Sequence, residues 1–99
     1  MTIREVQESD GLRLVVVGRV DTLGCDELKD ELIKATMTSK KIIVDMSQVE
    51  FISSAGLRAL FVGQKAAAAK NEDLIIVNAG PYVREVFNVT GFDTILDIR

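Results

Sequence analysis

Residues 43–57, which read IVDMSQVEFISSAGL, decide the fold of this 99-residue chain. The apolar run Ile42–Val44 is typical of a buried strand, and Asp45 is expected at its end. From Ala55 to about Lys70 the apolar residues recur at helical spacing. Between the two elements stands Ser53-Ser54-Ala55-Gly56, in which two hydroxyls and two small residues mark the start of the helix. A strand followed by a helix in this way predicts part of a parallel sheet.

Two strands and a helix are predicted before this stretch. The segments 3–8 and 12–20 have strand character, and Asp10-Gly11 between them indicates a hairpin, because Gly tolerates a positive φ. The β-branched run in the second segment predicts a strand covered on both faces. A helix follows, capped by Asp21 or Thr22, with Leu28, Leu32 and Ala35 facing inward at helical spacing.

The region after residue 70 supplies two more strands and a helix. Leu74–Val77 is predicted as a strand, and Pro81 suits the first turn of a helix that stops at Thr90-Gly91. A last strand is expected over residues 94–98. The predicted order is therefore ββαβαβαβ. It defines an α/β fold with about three helices and a mostly parallel five-stranded sheet, to which the N-terminal strand is added antiparallel.

Composition narrows the possible functions. The net charge of −3 and the scattered basic residues speak against nucleic-acid binding. The chain has no histidine and a single cysteine, Cys25, so we expect no catalytic residues, no metal site and no cofactor. No apolar run approaches the roughly 20 residues that span a bilayer, so direct membrane insertion is not expected. The start lacks a signal-peptide pattern, and a lone cysteine suits a reducing compartment, which predicts a cytoplasmic location.

The candidate site lies where helices follow parallel strands. In an open α/β sheet, binding sites form beyond the carboxyl ends of the strands, and Asp21-Thr22, Asp45–Gly56 and Asn78–Pro81 are all expected near that edge. Of these, Ser53-Ser54-Ala55-Gly56 has the most distinctive composition. A phosphate at Ser53 or Ser54 would meet free backbone N–H groups and the positive end of the helix dipole. The alternative is structural. Both serines are ordinary helix-capping residues, Asp21 is a plain cap, and Gly56 allows close packing of the helix.

The stretch from Ile43 to Leu57 resembles the signature of STAS domains, and most closely that of the bacterial anti-sigma factor antagonists. Gly18–Asp21 and Gly80–Phe87 with Thr90-Gly91-Phe92 match as well, so the resemblance covers nearly the whole chain. It implies a single STAS domain over residues 1–99. In that family the motif usually reads Asp-Ser-Ser/Thr-Gly-Leu, and a partner kinase phosphorylates its first serine. In this chain Ser54 falls at the phosphoacceptor and Ser53 at the aspartate, which makes Ser53 a second candidate for phosphorylation.

The resemblance also implies partners. The unphosphorylated domain would bind an anti-sigma factor or serine kinase of the histidine-kinase-like ATPase fold. Phosphorylation of Ser54 would release it, and a PP2C-type serine phosphatase would restore binding. We expect the partner-binding surface to combine two segments, Asp21-Thr22-Leu23 and Ser53-Ser54-Ala55-Gly56-Leu57, because both leave parallel strands at the same edge. The alternative is a STAS subunit or accessory domain of a lipid or anion transporter, which would dock without phosphorylation.

Overall fold

The computed structural model describes residues 1–99 and contains five strands and three α-helices. A short 3-10 turn precedes the last strand. In chain order the elements are β1 (Thr2–Glu8), β2 (Gly11–Val20), α1 (Cys25–Thr38), β3 (Lys41–Ile52), α2 (Ser54–Ala69), β4 (Asp73–Val77), α3 (Pro81–Thr90), the 3-10 turn (Phe92–Thr94) and β5 (Asp97–Ile98). No helix is both long enough and apolar enough to cross a membrane.

The five strands lie side by side in the order in which they occur in the chain. Strand β1 pairs antiparallel with β2, and every later pair is parallel. This confirms the predicted fold class. Parallel strands are joined by right-handed crossovers, and a strand order that always advances in one direction then puts all three helices on the same face.

The core lies between the helices and this face of the sheet. Alternate residues of each central strand join one cluster with the inward faces of α1, α2 and α3, as strand periodicity requires. Leu14, Val44 and Ile76 from three neighbouring strands are fully buried there, together with Leu32 and Phe87 from the helices.

No helix covers the opposite face of the sheet, but side chains of β2 are buried on both of its faces, as predicted. Val15, Ile43 and Ile75 lie there and are nevertheless buried, although they are not part of the helix-side core. Long polar side chains provide the cover. Arg13 bridges Glu8 and Asp45 on this face, with N···O distances of 2.8 and 2.9 Å. The β-branched run reflected a central position in the sheet rather than a second layer of helices.

The hairpin between β1 and β2 is present, but its glycine has a different role from the one predicted. Glu8 pairs with Gly11, so Ser9-Asp10 is the turn and Gly11 is the first residue of β2. A Cβ atom at Gly11 would lie 2.6 Å from the carbonyl oxygen of Lys41. Close approach of the β3 backbone therefore requires glycine here, not a positive φ.

Strand β3 does not end at Asp45 but continues to Ile52. Its pairing with β2 shifts twice, between Val15 and Val17 and again between Gly18 and Arg19, and each shift inserts one extra residue into β3. Such bulges break the alternation of apolar and polar residues. The polar residues 47, 48 and 50 therefore look like a loop in the sequence although they belong to the strand.

The last strand was also predicted too long. Residues 92–94 form the 3-10 turn that follows the left-handed Gly91, whose φ is 79°, and only Asp97–Ile98 pairs with β4. The predicted start and end of α3 are confirmed. Pro81 stands in its first turn, and Gly91 is its C-cap.

Candidate partner-binding site at the carboxyl edge of the sheet

The two serines of the motif have different environments. Ser53 is the N-cap of α2, and its hydroxyl accepts a hydrogen bond of 3.1 Å from the backbone N–H of Gly56. Ser54 is the first residue of the helix and is exposed, and its hydroxyl makes no hydrogen bond within the protein. Helix capping thus accounts for Ser53 but leaves Ser54 without a structural role.

Gly56 allows the start of α2 to sit directly on the sheet. A Cβ atom at this position would lie 2.8 Å from Cγ1 of Val20, 2.9 Å from Cγ1 of Ile52 and 2.9 Å from the carbonyl oxygen of Val20. The same carbonyl accepts a 2.8 Å hydrogen bond from the backbone N–H of Ser53. The motif is therefore anchored to the ends of β2 and β3, and this fixes the position of the exposed hydroxyl.

The Asp21-Thr22-Leu23 segment lies beside the motif but does not cap α1 as predicted. The N-cap of α1 is Gly24, which makes no side-chain cap bond. The Asp21 carboxylate instead accepts the backbone N–H of Leu23 at 3.1 Å, an Asx turn that competes with capping. This turn presents Leu23 to solvent with 94% of its surface exposed. An exposed leucine on an ordered turn is available to a partner.

Of the predicted partner-binding residues, some face solvent and others are buried. Thr22, Leu23 and Ser54 are exposed, and Asp21, Ser53 and Ala55 are half-buried. Gly56 and Leu57 are buried and support the surface from below, with Leu57 only 2% exposed. The Val20–Ser53 hydrogen bond links the two segments, so the structure brings them together at one edge of the sheet.

An aromatic cluster at the same edge was missed in the sequence. The Phe51 ring stacks against Tyr82 of α3, with centroids 6.3 Å apart, and the guanidinium carbon of Arg19 lies 4.3 Å from the Phe51 centroid. Tyr82 is 53% exposed. A cluster of arginine and aromatic side chains has the composition of protein interfaces. The pairing of Arg19 with Phe51 depends on the bulges of β3, so the sequence alone gave no usable signal.

A groove between α1 and α2 was missed as well. It is lined by Cys25, Asp26 and Lys29 of α1 and by Ala55, Arg58, Ala59 and Val62 of α2. Its volume of about 210 Å³ is below the ~300–1,000 Å³ of small-molecule sites. The Cys25 thiol donates to the carbonyl of Thr22 at 3.3 Å.

Asp45 lies inside β3, and its carboxylate accepts hydrogen bonds from β2 and from β3 itself. Its carboxylate accepts the backbone N–H of Ser47 at 2.9 Å and an N–H of Arg13 at 2.9 Å. Burial raises the pKa of Asp45, but these hydrogen bonds outweigh the effect of burial, so the pKa lies below its ordinary value. A carboxylate held ionised between such partners stabilises the sheet. It lies away from the candidate site.

The match to a family model defines the class of the protein. Residues 3–97 match the family described as "Mlab, STAS domain", so the chain belongs to the STAS domain family. Homologues named as anti-sigma factor antagonists and the fold agree with this assignment, which confirms the resemblance found in the sequence.

Particular relatives are similar over most of their length. BtrV of Bordetella bronchiseptica, named for anti-sigma factor antagonism, is 29% identical over 91 residues, which cover 90% of this chain and 78% of BtrV. The anti-sigma factor antagonist SpoIIAA in its unphosphorylated form superposes with a TM-score of 0.81 at 17% identity, covering 99% of this chain and 88% of SpoIIAA. The phosphorylated form of SpoIIAA from Bacillus superposes with a TM-score of 0.75 at 16% identity, covering 99% and 91%.

Proposed function

We propose that this STAS domain is a non-catalytic, cytoplasmic anti-sigma factor antagonist whose partner binding is switched by phosphorylation of Ser54. The unphosphorylated form binds an anti-sigma factor or serine kinase of the histidine-kinase-like ATPase fold. Phosphorylation releases that partner, and a PP2C-type serine phosphatase reverses the modification. Names of relatives support this proposal, since BtrV and SpoIIAA both carry the anti-sigma factor antagonist name.

The observation that carries the proposal is the difference between the two serines. Ser53 uses its hydroxyl to cap α2, whereas the Ser54 hydroxyl is exposed and free. A kinase can reach Ser54 without breaking a hydrogen bond of the fold. Phosphorylation of Ser53 would instead require the loss of the Gly56 contact. The local structure therefore favours Ser54 as the acceptor.

The physical mechanism is local. A phosphate adds about −1.5 to −2 charge and three acceptor oxygens to an exposed helix N-terminus. The free domain tolerates this charge well, because negative charge near a helix N-terminus is favourable by about 0.3–1 kcal/mol. In a complex, the same phosphate would be desolvated against a surface that fits a hydroxyl, which typically costs several kcal/mol. The switch thus acts on the complex and requires no change of fold.

Mass spectrometry of the protein isolated from its native cell tests the proposal directly. We expect a fraction of molecules to carry one phosphate, located by fragmentation on Ser54. Ser54→Ala should abolish this modification and keep the partner bound, whereas Ser53→Ala, the matched control, should leave the modification in place. Phosphate that persists on Ser54→Ala would identify Ser53 as the acceptor. Protein without phosphate under every growth condition would contradict the switch.

The second candidate is a STAS subunit or accessory domain of a lipid or anion transporter that docks without phosphorylation. Ser53, which stands where the phosphorylated members usually have aspartate, favours it. Neighbouring genes distinguish the two proposals, since a serine kinase and a PP2C-type phosphatase accompany a switch and a permease accompanies a transporter subunit. Co-purification with a permease in the absence of any phosphate on Ser54 would support the second candidate.

A further inference from the structure

We propose that the groove between α1 and α2 binds an apolar side chain of the partner that lies next to a carboxylate. Phosphate on Ser54 makes the net positive charge of the groove negative and so weakens this binding. This inference rests on the proposed function and names the partner chemistry of the same site. Ala55, Ala59 and Val62 form the apolar wall of the groove. Its volume of about 210 Å³ suits a side chain better than a cofactor.

The charge of the groove selects the occupant. Three charged side chains line it, and two of them, Asp26 and Lys29, pair with each other at 3.7 Å. Arg58 is exposed and forms no ion pair within the protein, which leaves the groove with a net charge of +1. An apolar side chain next to a carboxylate matches both properties, since its alkyl part would contact the alanines and its charge would pair with Arg58.

The position of Ser54 connects the groove to the switch. Ser54 directly precedes Ala55 of the apolar wall and lies four residues before Arg58 on the same helix. Residues four apart share one face of a helix, so a phosphate on Ser54 stands beside the Arg58 guanidinium. Its charge of about −1.5 to −2 changes the groove from +1 to a net negative value. A carboxylate-bearing side chain is then repelled, and Arg58 is already paired with the phosphate.

Two small probes of opposite charge test the groove without the natural partner. N-acetyl-leucine carries an isobutyl group beside a carboxylate, and leucine amide carries the same group beside an ammonium. Amide chemical shifts of the isotope-labelled full chain are followed during titration with each probe. We expect N-acetyl-leucine to shift the amides of Cys25, Ala55, Ala59 and Val62 with a dissociation constant on the order of a few millimolar. Leucine amide should bind at least about tenfold more weakly.

Variants locate the charge that decides the preference. Arg58→Glu should invert the preference between the two probes, whereas Lys34→Glu, an equal charge change at an exposed position of α1 outside the groove, should leave it unchanged. If Arg58→Glu does not fold, Arg58→Gln should abolish the preference. Encoded phosphoserine at position 54 should weaken N-acetyl-leucine binding at least about tenfold, because the groove becomes negative.

Two results would overturn this inference. One is equal binding of both probes to the unmodified protein, and the other is a shift pattern confined to residues outside the groove. These outcomes are separable from failure of the proposed function. A groove that prefers N-acetyl-leucine in a protein never phosphorylated in its native cell would leave the partner chemistry standing and refute the switch. Conversely, a native protein that carries phosphate on Ser54 but binds both probes equally would support the switch and refute the partner chemistry.

Discussion

The cap of α2 gives the sharpest prediction of stability. Ser53→Ala removes the oxygen that accepts the Gly56 N–H at 3.1 Å and leaves the N–H of this buried glycine without that partner. Loss of a serine N-cap costs about 0.5–2 kcal/mol, typically about 1. In a domain of this size, about 1 kcal/mol lowers the melting temperature by roughly 4–8 °C. Ser53→Ala should therefore melt several degrees below the parent protein.

Two matched variants make this prediction specific. Ser54→Ala removes a hydroxyl without a partner, so its effect should stay within about 0.5 kcal/mol. Ser53→Asp keeps an oxygen that can cap the helix and introduces the aspartate that is usual in the family. It also adds negative charge at a helix N-terminus, which stabilises the helix by about 0.3–1 kcal/mol. It should be at least as stable as the parent. Urea denaturation followed by far-UV circular dichroism measures all three. If Ser54→Ala were the most destabilised variant, Ser54 and not Ser53 would be the cap.

Three further variants test other features of the structure. Gly56→Ala should destabilise the protein by about 1–2 kcal/mol in urea denaturation. The Val20 carbonyl cannot move away from the new Cβ atom, so the cost of overpacking exceeds the gain of about 1 kcal/mol in helix propensity. A variant more stable than the parent would contradict the close packing. Leu23→Ala should weaken partner binding by about tenfold in a titration while stability changes by less than about 0.5 kcal/mol. Met37→Ala, a control that also removes an exposed apolar side chain but lies at the far end of α1, should bind normally. The pKa of Asp45 in the folded state lies below its unfolded value of about 3.9. The ionised Asp45 therefore contributes to folding stability above about pH 4, and this contribution is lost as the pH falls through the folded-state pKa. Asp45→Asn should therefore lose less stability than the parent on acidification below about pH 4; an identical loss in both proteins would show that Asp45 does not titrate as inferred.

The fold could be predicted because its elements carry regular apolar patterns. Leu28, Leu32 and Ala35 mark the inward face of α1 by helical spacing, and all three are buried. The glycine and proline signals placed both ends of α3 correctly, at Pro81 and Gly91. These signals depend only on local geometry, so a single sequence contains them.

The errors occurred where tertiary contacts override local pattern. Two bulges extend β3 to Ile52 through polar residues, and the register that produces them depends on β2. The carboxylate of Asp21 could bond either to a helix end or to its own turn, and the structure shows that it bonds to Leu23. The α1–α2 groove depends on the distance between two helices. Neither the groove nor the position of Arg58 in it could be predicted from spacing along one helix.

The consecutive order of strands has a consequence for how the chain folds. Each strand after β1 pairs with the strand that directly precedes it in the chain, across a turn or a helix, with a 3-10 turn added before β5. Because paired strands are never far apart in the sequence, the contact order is lowered, which favours stepwise folding as the chain leaves the ribosome. Both loops of the proposed docking edge, after β2 and after β3, lie in the first 57 residues. The pairing of β2 with β3 therefore brings the two loops together without any contact from β5.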